Sequence, residues 1–166
     1  DRLEDFQVRG RQAEGAFSSI YGDSADALLR NTGKEAFDAI RIVKQVSASA
    51  AWQGVNGPNG SYPNGPLARS LRQIAALIKA DVGLEVAFAD VGGWDHHVNE
   101  VGARATTGQL ANLLRNFGDS LAAFRRDLGD RFENVVLVTM SEFGRTAREN
   151  GTRGTDHGHA NLMFVM

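Results

Sequence analysis

The chain has 166 residues, of which 42% are hydrophobic and 23% charged, with a net charge of −2 at pH 7 and no cysteine. Its length suits a single domain over residues 1–166 with a sizeable core. Near-neutrality argues against nucleic acid or an anionic membrane as a general partner. The absence of cysteine excludes disulfides and thiolate chemistry, and no apolar run reaches the length of a membrane span.

Residues 1–50 read as mostly helical, with Phe37, Ile40, Ile42, Val43 and Val46 near helical spacing over 35–46 and Thr32-Gly33 as the start. Residues 54–66 carry all three prolines among Gly and Asn, a loop composition. Pro66 can open the next helix, because the N–H it lacks is not needed at the first helical position. That helix runs to about Ala80, with Leu67, Leu71, Ile74 and Ile78 as its apolar stripe. Residues 84–89 form a short apolar run, read as a buried strand. A long helical pattern follows over about 107–128, then a second strand over 135–140, a polar loop, and a terminal apolar run, Leu162-Met163-Phe164-Val165-Met166. Because the chain begins at Asp1 and stops inside that run, the sequence reads as a piece of a longer protein.

This order predicts an α/β fold with a mainly parallel sheet and flanking helices. Strands 84–89 and 135–140, joined through a long helix, form a βαβ crossover and should be parallel. Their carboxyl ends then share one sheet edge, where open α/β sheets bind ligands.

All four histidines lie in two glycine-flanked clusters that would meet at that edge, Gly92-Gly93-Trp94-Asp95-His96-His97 and Gly154-Thr155-Asp156-His157-Gly158-His159. Each sets an aspartate directly before a histidine, and carboxylate with imidazole is the ligand set of a borderline divalent cation when thiolates are absent. Asp95 and His97, two apart, can point the same way in an extended loop, leaving His96 to face elsewhere. Asp156 can ligate or orient His157, and His159 can ligate or donate a proton. Glu142 is either a carboxylate ligand, a general base or a salt-bridge partner of Arg145 or Arg148. Arg145 can clamp an anion. The plainer alternatives are a capped turn with solvated histidines for the first cluster and a polar surface loop for the second. Trp94 reads as a packing residue, Asp90 as a turn cap, and Ser141 and Thr139 as hydroxyls with no base fixed beside them.

These motifs, together with Thr139-Met140-Ser141-Glu142-Phe143-Gly144-Arg145-Thr146 and Asn150-Gly151, resemble the bacterial "domain of unknown function 1501" family, whose patterns are GGWDTH, SEFGRT and GTDHG. The resemblance covers essentially the whole chain, as the C-terminal part of a longer domain. His96 stands where Thr is usual, which favours Asp95 and His97 as the functional pair. The family is grouped with the alkaline phosphatase-like superfamily of sulfatases, phosphatases and phosphodiesterases. The resemblance therefore implies an α/β/α sandwich, metals at the carboxyl edge of the sheet, and an exported or periplasmic parent. It matches Asp95 and His97 to a first metal-binding pair, Glu142 to the carboxylate of a second pair, and His157 or His159 to a late histidine. Phe143 occupies the place of the second pair's histidine, a departure from a two-metal arrangement. The superfamily nucleophile belongs to an earlier segment outside this chain.

The resulting expectation is a metal-dependent hydrolase of a small phosphate or sulfate ester, with no nucleic-acid partner and no membrane insertion. Its metal ligands would come from Asp95, His97, Glu142, Asp156, His157 and His159. Arg145 would hold the anion, and Glu142 and His159 would move protons. Zn²⁺ is the foremost metal, with Mn²⁺, Ca²⁺ or Fe²⁺ as alternatives. The rival expectations are a non-haem iron enzyme and a binding or structural module with a degenerate site.

Overall fold

The computed structural model describes residues 10–49, 61–104 and 106–166. Two compact units partition the chain, one drawing on Asp1–Gly57 and Gln73–Ala87, the other on Pro58–Arg72 and Phe88–Met166.

The first unit is helical. Helix α1 (Arg11–Gly22) turns into α2 (Ala27–Ala48). The Asp26 carboxylate accepts from the N–H groups of Leu28 and Leu29 at 2.8 and 3.2 Å. Those donors have no partner within the helix, so Asp26 caps it, and α2 starts well before Thr32-Gly33. Gly33 sits buried inside the helix despite its poor propensity. An added Cβ there would lie 2.5 Å from the Tyr21 Cβ, so α1 approaches α2 at the one residue with no side chain. Lys44 Nζ bridges both Glu14 oxygens at 2.9 and 3.0 Å. Val46 and Ala76 form the buried cluster, flanked by Ile42, Leu77, Ala80 and Val82.

The second unit carries the histidine motifs. Helix α3 (Pro66–Lys79) begins at Pro66 as expected, and Leu67, Ala68 and Leu71 in its first half are buried. Helix α4 (Gln109–Leu128) buries Leu121, Ala123, Phe124 and Leu128. Full burial of side chains the size of Leu or Phe contributes roughly 2 kcal/mol each. The Asn116 side-chain amide donates to the Asn64 carbonyl at 2.8 Å, and the Tyr62 hydroxyl donates to Asp127 at 3.1 Å. Burial pushes the Tyr62 phenol up, with the Asp127 charge adding to it.

The amino end of α4 holds the first histidine loop. Gln109 Nε2 donates to the carbonyls of Val98 and Asn99 at 2.9 and 3.1 Å, and the Leu110 N–H bonds the Glu100 carbonyl at 3.1 Å. Trp94 meets Phe117 edge-on at 5.9 Å. At its other end α4 stops at Gly129, whose φ of 55° suits a residue without Cβ, and a short 3₁₀ turn (Gly129–Asn134) follows.

The expected parallel sheet and α/β/α sandwich do not form. Among the described residues the one sheet is a two-stranded antiparallel pair, β1 (Gly144–Arg145) with β2 (His157–Gly158), in register Gly144↔Gly158 and Arg145↔His157. The 135–140 run meets 162–166 antiparallel, through one bridge at Val138↔Val165 and paired bonds of 3.0 Å between Leu137 and Met166. Residues 84–89 take part in no ladder among the described residues. The reason is a matter of neighbours. Parallel strands are stable when bonded on their edges and covered on both faces. Here Val86 is 67% exposed, Phe88 82%, Val136 80% and Met140 75%. The apolar runs carry strand propensity, but propensity cannot supply the flanking strands. The return of 162–166 is antiparallel because the β1–β2 hairpin reverses the chain between the two runs. No helix among the described residues is long and apolar enough to cross a membrane.

Candidate functional site

Three segments of the second unit meet at the site. The first is the loop after Trp94, the second is β1 with the turn that follows it, and the third is the loop through β2. Gly154 permits the closest approach. A Cβ at that position would lie 2.7 Å from the His96 carbonyl oxygen and closer still to the His97 carbonyl group. The Thr155 N–H then reaches the His96 carbonyl at 3.1 Å, while the N–H groups of Asn99 and Glu100 bond the carbonyls of Thr152 and Arg153 at 3.1 and 2.8 Å. Histidine motifs separated by about sixty residues are thus joined by main-chain hydrogen bonds.

Asp95, His97 and His157 come together there. One ligand atom from each lies within 4.8 Å of the others. His97 Nε2 and His157 Nε2 both stand 2.9 Å from Asp95 Oδ1. The three side chains are 50%, 44% and 55% exposed, so a ligand can reach them from solvent. Two imidazoles and one carboxylate, without thiolate, form a donor set that fits a borderline divalent cation.

Each member has its own support. His97 Nδ1 bonds Asp156 Oδ1 at 2.9 Å, the carboxylate–histidine pairing that orients imidazole ligands. The sequence left Asp156 open as a ligand or as a partner of His157, whereas the structure sets it behind His97. The His157 ring stacks on Phe143 at 4.4 Å and 17°, so the residue that replaces an expected histidine buttresses one instead. Arg145 crosses all three segments. Its guanidinium donates to Asp95, to the carbonyls of His96 and Thr155, and to Thr155 Oγ1. With its side chain only 18% exposed, Arg145 is committed to protein acceptors.

Charge follows this geometry. Hydrogen bonding from His157, and next from Arg145, holds the Asp95 carboxyl below the usual carboxylate range. His97, and next Asn150, do the same for Asp156. These donors favour the anionic form of both carboxylates.

The other candidates lie apart. Glu142 and His159 are exposed and outside the three-residue cluster. His96 is buried at 6% exposure, and its Nδ1 has no hydrogen-bond partner. Ser141 Oγ donates to the Phe143 carbonyl, and Thr139 Oγ1 accepts from the Phe164 N–H. Asp90 is exposed. A cleft of about 360 Å³ lined by Asn99, Val101, Gly102, Ala103, Glu149 and Arg153 contains none of the three clustered residues. Sequence reasoning assigned no role to Asn150, Thr155 or Glu100. Thr155 Oγ1 donates to Glu100 at 2.9 Å, and Asn150 contacts both His97 and Asp156. The Asn150-Gly151 turn between two motifs was the one available signal.

Fold and site together define a helix-rich protein bearing an exposed, loop-held cluster of two histidines and one aspartate. The chain belongs to the DUF1501 family, described as proteins of unknown function, whose profile matches residues 4–166. No curated protein and no solved structure matches it.

Proposed function

We propose that this chain is a metal-dependent hydrolase domain acting on a small anionic ester, a phosphate or a sulfate. The observation that carries the reading is the convergence of Asp95, His97 and His157. Catalytic zinc sites use three protein ligands, two histidines and a carboxylate among the known sets, and keep a position open. A divalent cation held by these residues, Zn²⁺ foremost and Mn²⁺, Ca²⁺ or Fe²⁺ after it, would polarise an ester oxygen and acidify a bound water.

The chain's own residues do the rest. Asp156 aims His97, Phe143 fixes the plane of His157, and Arg145 keeps Asp95 ionised and in place. Because Arg145 is engaged with protein acceptors, it serves as a positioning residue in this reading rather than as the holder of the anion. His159, two residues beyond His157, is the candidate proton donor, and Glu142 the candidate base. The likeness of the motifs to the alkaline phosphatase-like superfamily supports the ester class and an exported parent.

The test is elemental analysis of protein purified without chelator or metal columns, for wild type and His157→Ala, with turnover of p-nitrophenyl phosphate and p-nitrophenyl sulfate. The expected result is near-stoichiometric metal lost in the variant, with hydrolysis of one ester. Wild type that takes up no divalent metal would overturn the reading and leave a binding or structural module.

A second reading rests on the same triad. Two histidines and one carboxylate with open positions also describe non-haem Fe(II) oxygenases. Iron-dependent oxygen consumption without ester hydrolysis would select it.

A further inference from the structure

We propose that Asn150 is the positioning residue of the site, setting the His97 ring through the Asp156 carboxylate and through the His97 main chain. It touches none of the clustered ligand atoms. Its Nδ2 donates to the His97 carbonyl and to Asp156 Oδ1, both at 3.0 Å. Its Oδ1 accepts from the N–H groups of Thr152 and Gly154 at 2.9 and 3.0 Å, and its own N–H bonds the Gly154 carbonyl at 2.8 Å.

The orientation of this amide follows from its neighbours. The opposite assignment would turn an oxygen toward two acceptors and an NH₂ toward two N–H donors, four repulsive contacts in place of four bonds. Asn150 therefore holds His97 at two points, its main chain and the carboxylate behind its Nδ1. Asp156 Oδ1 lies within reach of both the Asn150 amide and His97 Nδ1. With the carboxylate fixed in that direction, the His97 ring is held with Nδ1 against Asp156 and Nε2 toward Asp95 and His157. A partner behind a metal-binding histidine typically affects metal affinity by 10–100-fold. The part of this inference that concerns metal rests on the proposed metal site, whereas the part that concerns the ring does not.

Asn150→Asp separates positioning from loop stapling. One carboxylate oxygen can still accept from the Thr152 and Gly154 N–H groups, so the turn persists. The other oxygen faces Asp156 Oδ1 and the His97 carbonyl and repels both. Two readouts on the full chain are needed. NOEs from the His97 ring protons, recorded without metal, should report one ring orientation with Nδ1 against Asp156 in wild type and an averaged orientation in Asn150→Asp. The Thr152 and Gly154 amide resonances should stay in place. Zn²⁺ affinity should fall roughly 10–100-fold in Asn150→Asp, and the same change made on Asp156→Ala should add a smaller loss than it causes alone, because one of its two holds on His97 runs through Asp156.

An unchanged His97 ring orientation in a variant whose turn is intact would overturn the role of Asn150, as would fully additive losses in the double variant. If wild type binds no divalent metal, the proposed function fails, and the ring NOEs still decide the role of Asn150. If Asn150→Asp unfolds the turn, Asn150→Ser is the second variant. Its hydroxyl can keep an acceptor near the turn but offers no pair of donors, and the same averaging of the His97 ring is expected. An unshifted ring there would overturn the proposal.

Discussion

Two parts of the molecule made from equally short segments behave in opposite ways. Around Asp95, His97 and His157, loops with almost no regular structure are tied by hydrogen bonds in which Arg145, Asn150 and Thr155 each make several contacts. The apolar runs 84–89, 135–140 and 162–166 have strong strand composition, yet they share a single bridge, and Phe88, Val136 and Met140 face solvent. A polar cluster closes on itself, since each donor finds its acceptor among the loops that meet there. A strand is finished only by a neighbour on each edge and a cover on each face.

Side-chain packing should separate the two regions most. Phe124→Ala, at a site 2% exposed, should cost about 4 kcal/mol in urea unfolding. Phe88→Ala, removing the same ring where it is 82% exposed, should stay within about 0.5 kcal/mol. Equal losses would mean the apolar runs are covered after all. Gly154→Ala comes next. Its methyl group would overlap the His97 carbonyl group, so a loss on the order of 3 kcal/mol is expected, together with loss of Zn²⁺ binding by calorimetry. Arg145→Lys should cost about 2 kcal/mol, because one ammonium cannot replace a fork that spans Asp95, His96 and Thr155. A stability equal to wild type would show that the fork is not what joins the segments.

The mildest probe is pH. Asp95 and Asp156 both have carboxyls lowered in the folded state. Near the ordinary carboxylate pKa of about 4 the unfolded chain therefore binds more protons than the folded one, and stability rises with pH there. Their contribution is complete above that range and disappears as pH falls through the lowered folded values. Carboxyl ¹³C titration of the two aspartates should find both midpoints below the ordinary aspartate range, and unshifted midpoints would mean the hydrogen bonds from His157 and His97 do not persist in solution.

The legible parts of the chain were those with a local cause. The stripe of Leu67 and Leu71 and the signal of Pro66 specified α3, and α4 followed its apolar period closely. The start of α2 was misplaced because Asp26, a capping residue in plain view, lay outside the window in which periodicity began. The parallel sheet failed because pairing is not written in a strand's own composition, and the topology built on residues 84–89 assumed neighbours that the described residues lack. At the site, the two aspartate–histidine pairs drew attention by their clustering alone. That Asp156 would stand behind His97 rather than beside His157 could not be read, since it depends on how Gly154 lets the loops pass. Asn150 looked like a turn residue and is one, but one of the two bonds its amide group donates reaches 53 residues back along the chain.

Trp94 has a bearing on how all this can be observed. Its indole N–H is anchored on the Val91 carbonyl at 2.9 Å, its ring is wedged edge-on against Phe117, and the next residue is Asp95. In a Trp52→Phe background the site would contain a single immobilised fluorophore adjoining a ligand candidate. Occupancy, loop slippage and acid opening could then be followed as changes in emission wavelength and anisotropy, without attaching a label.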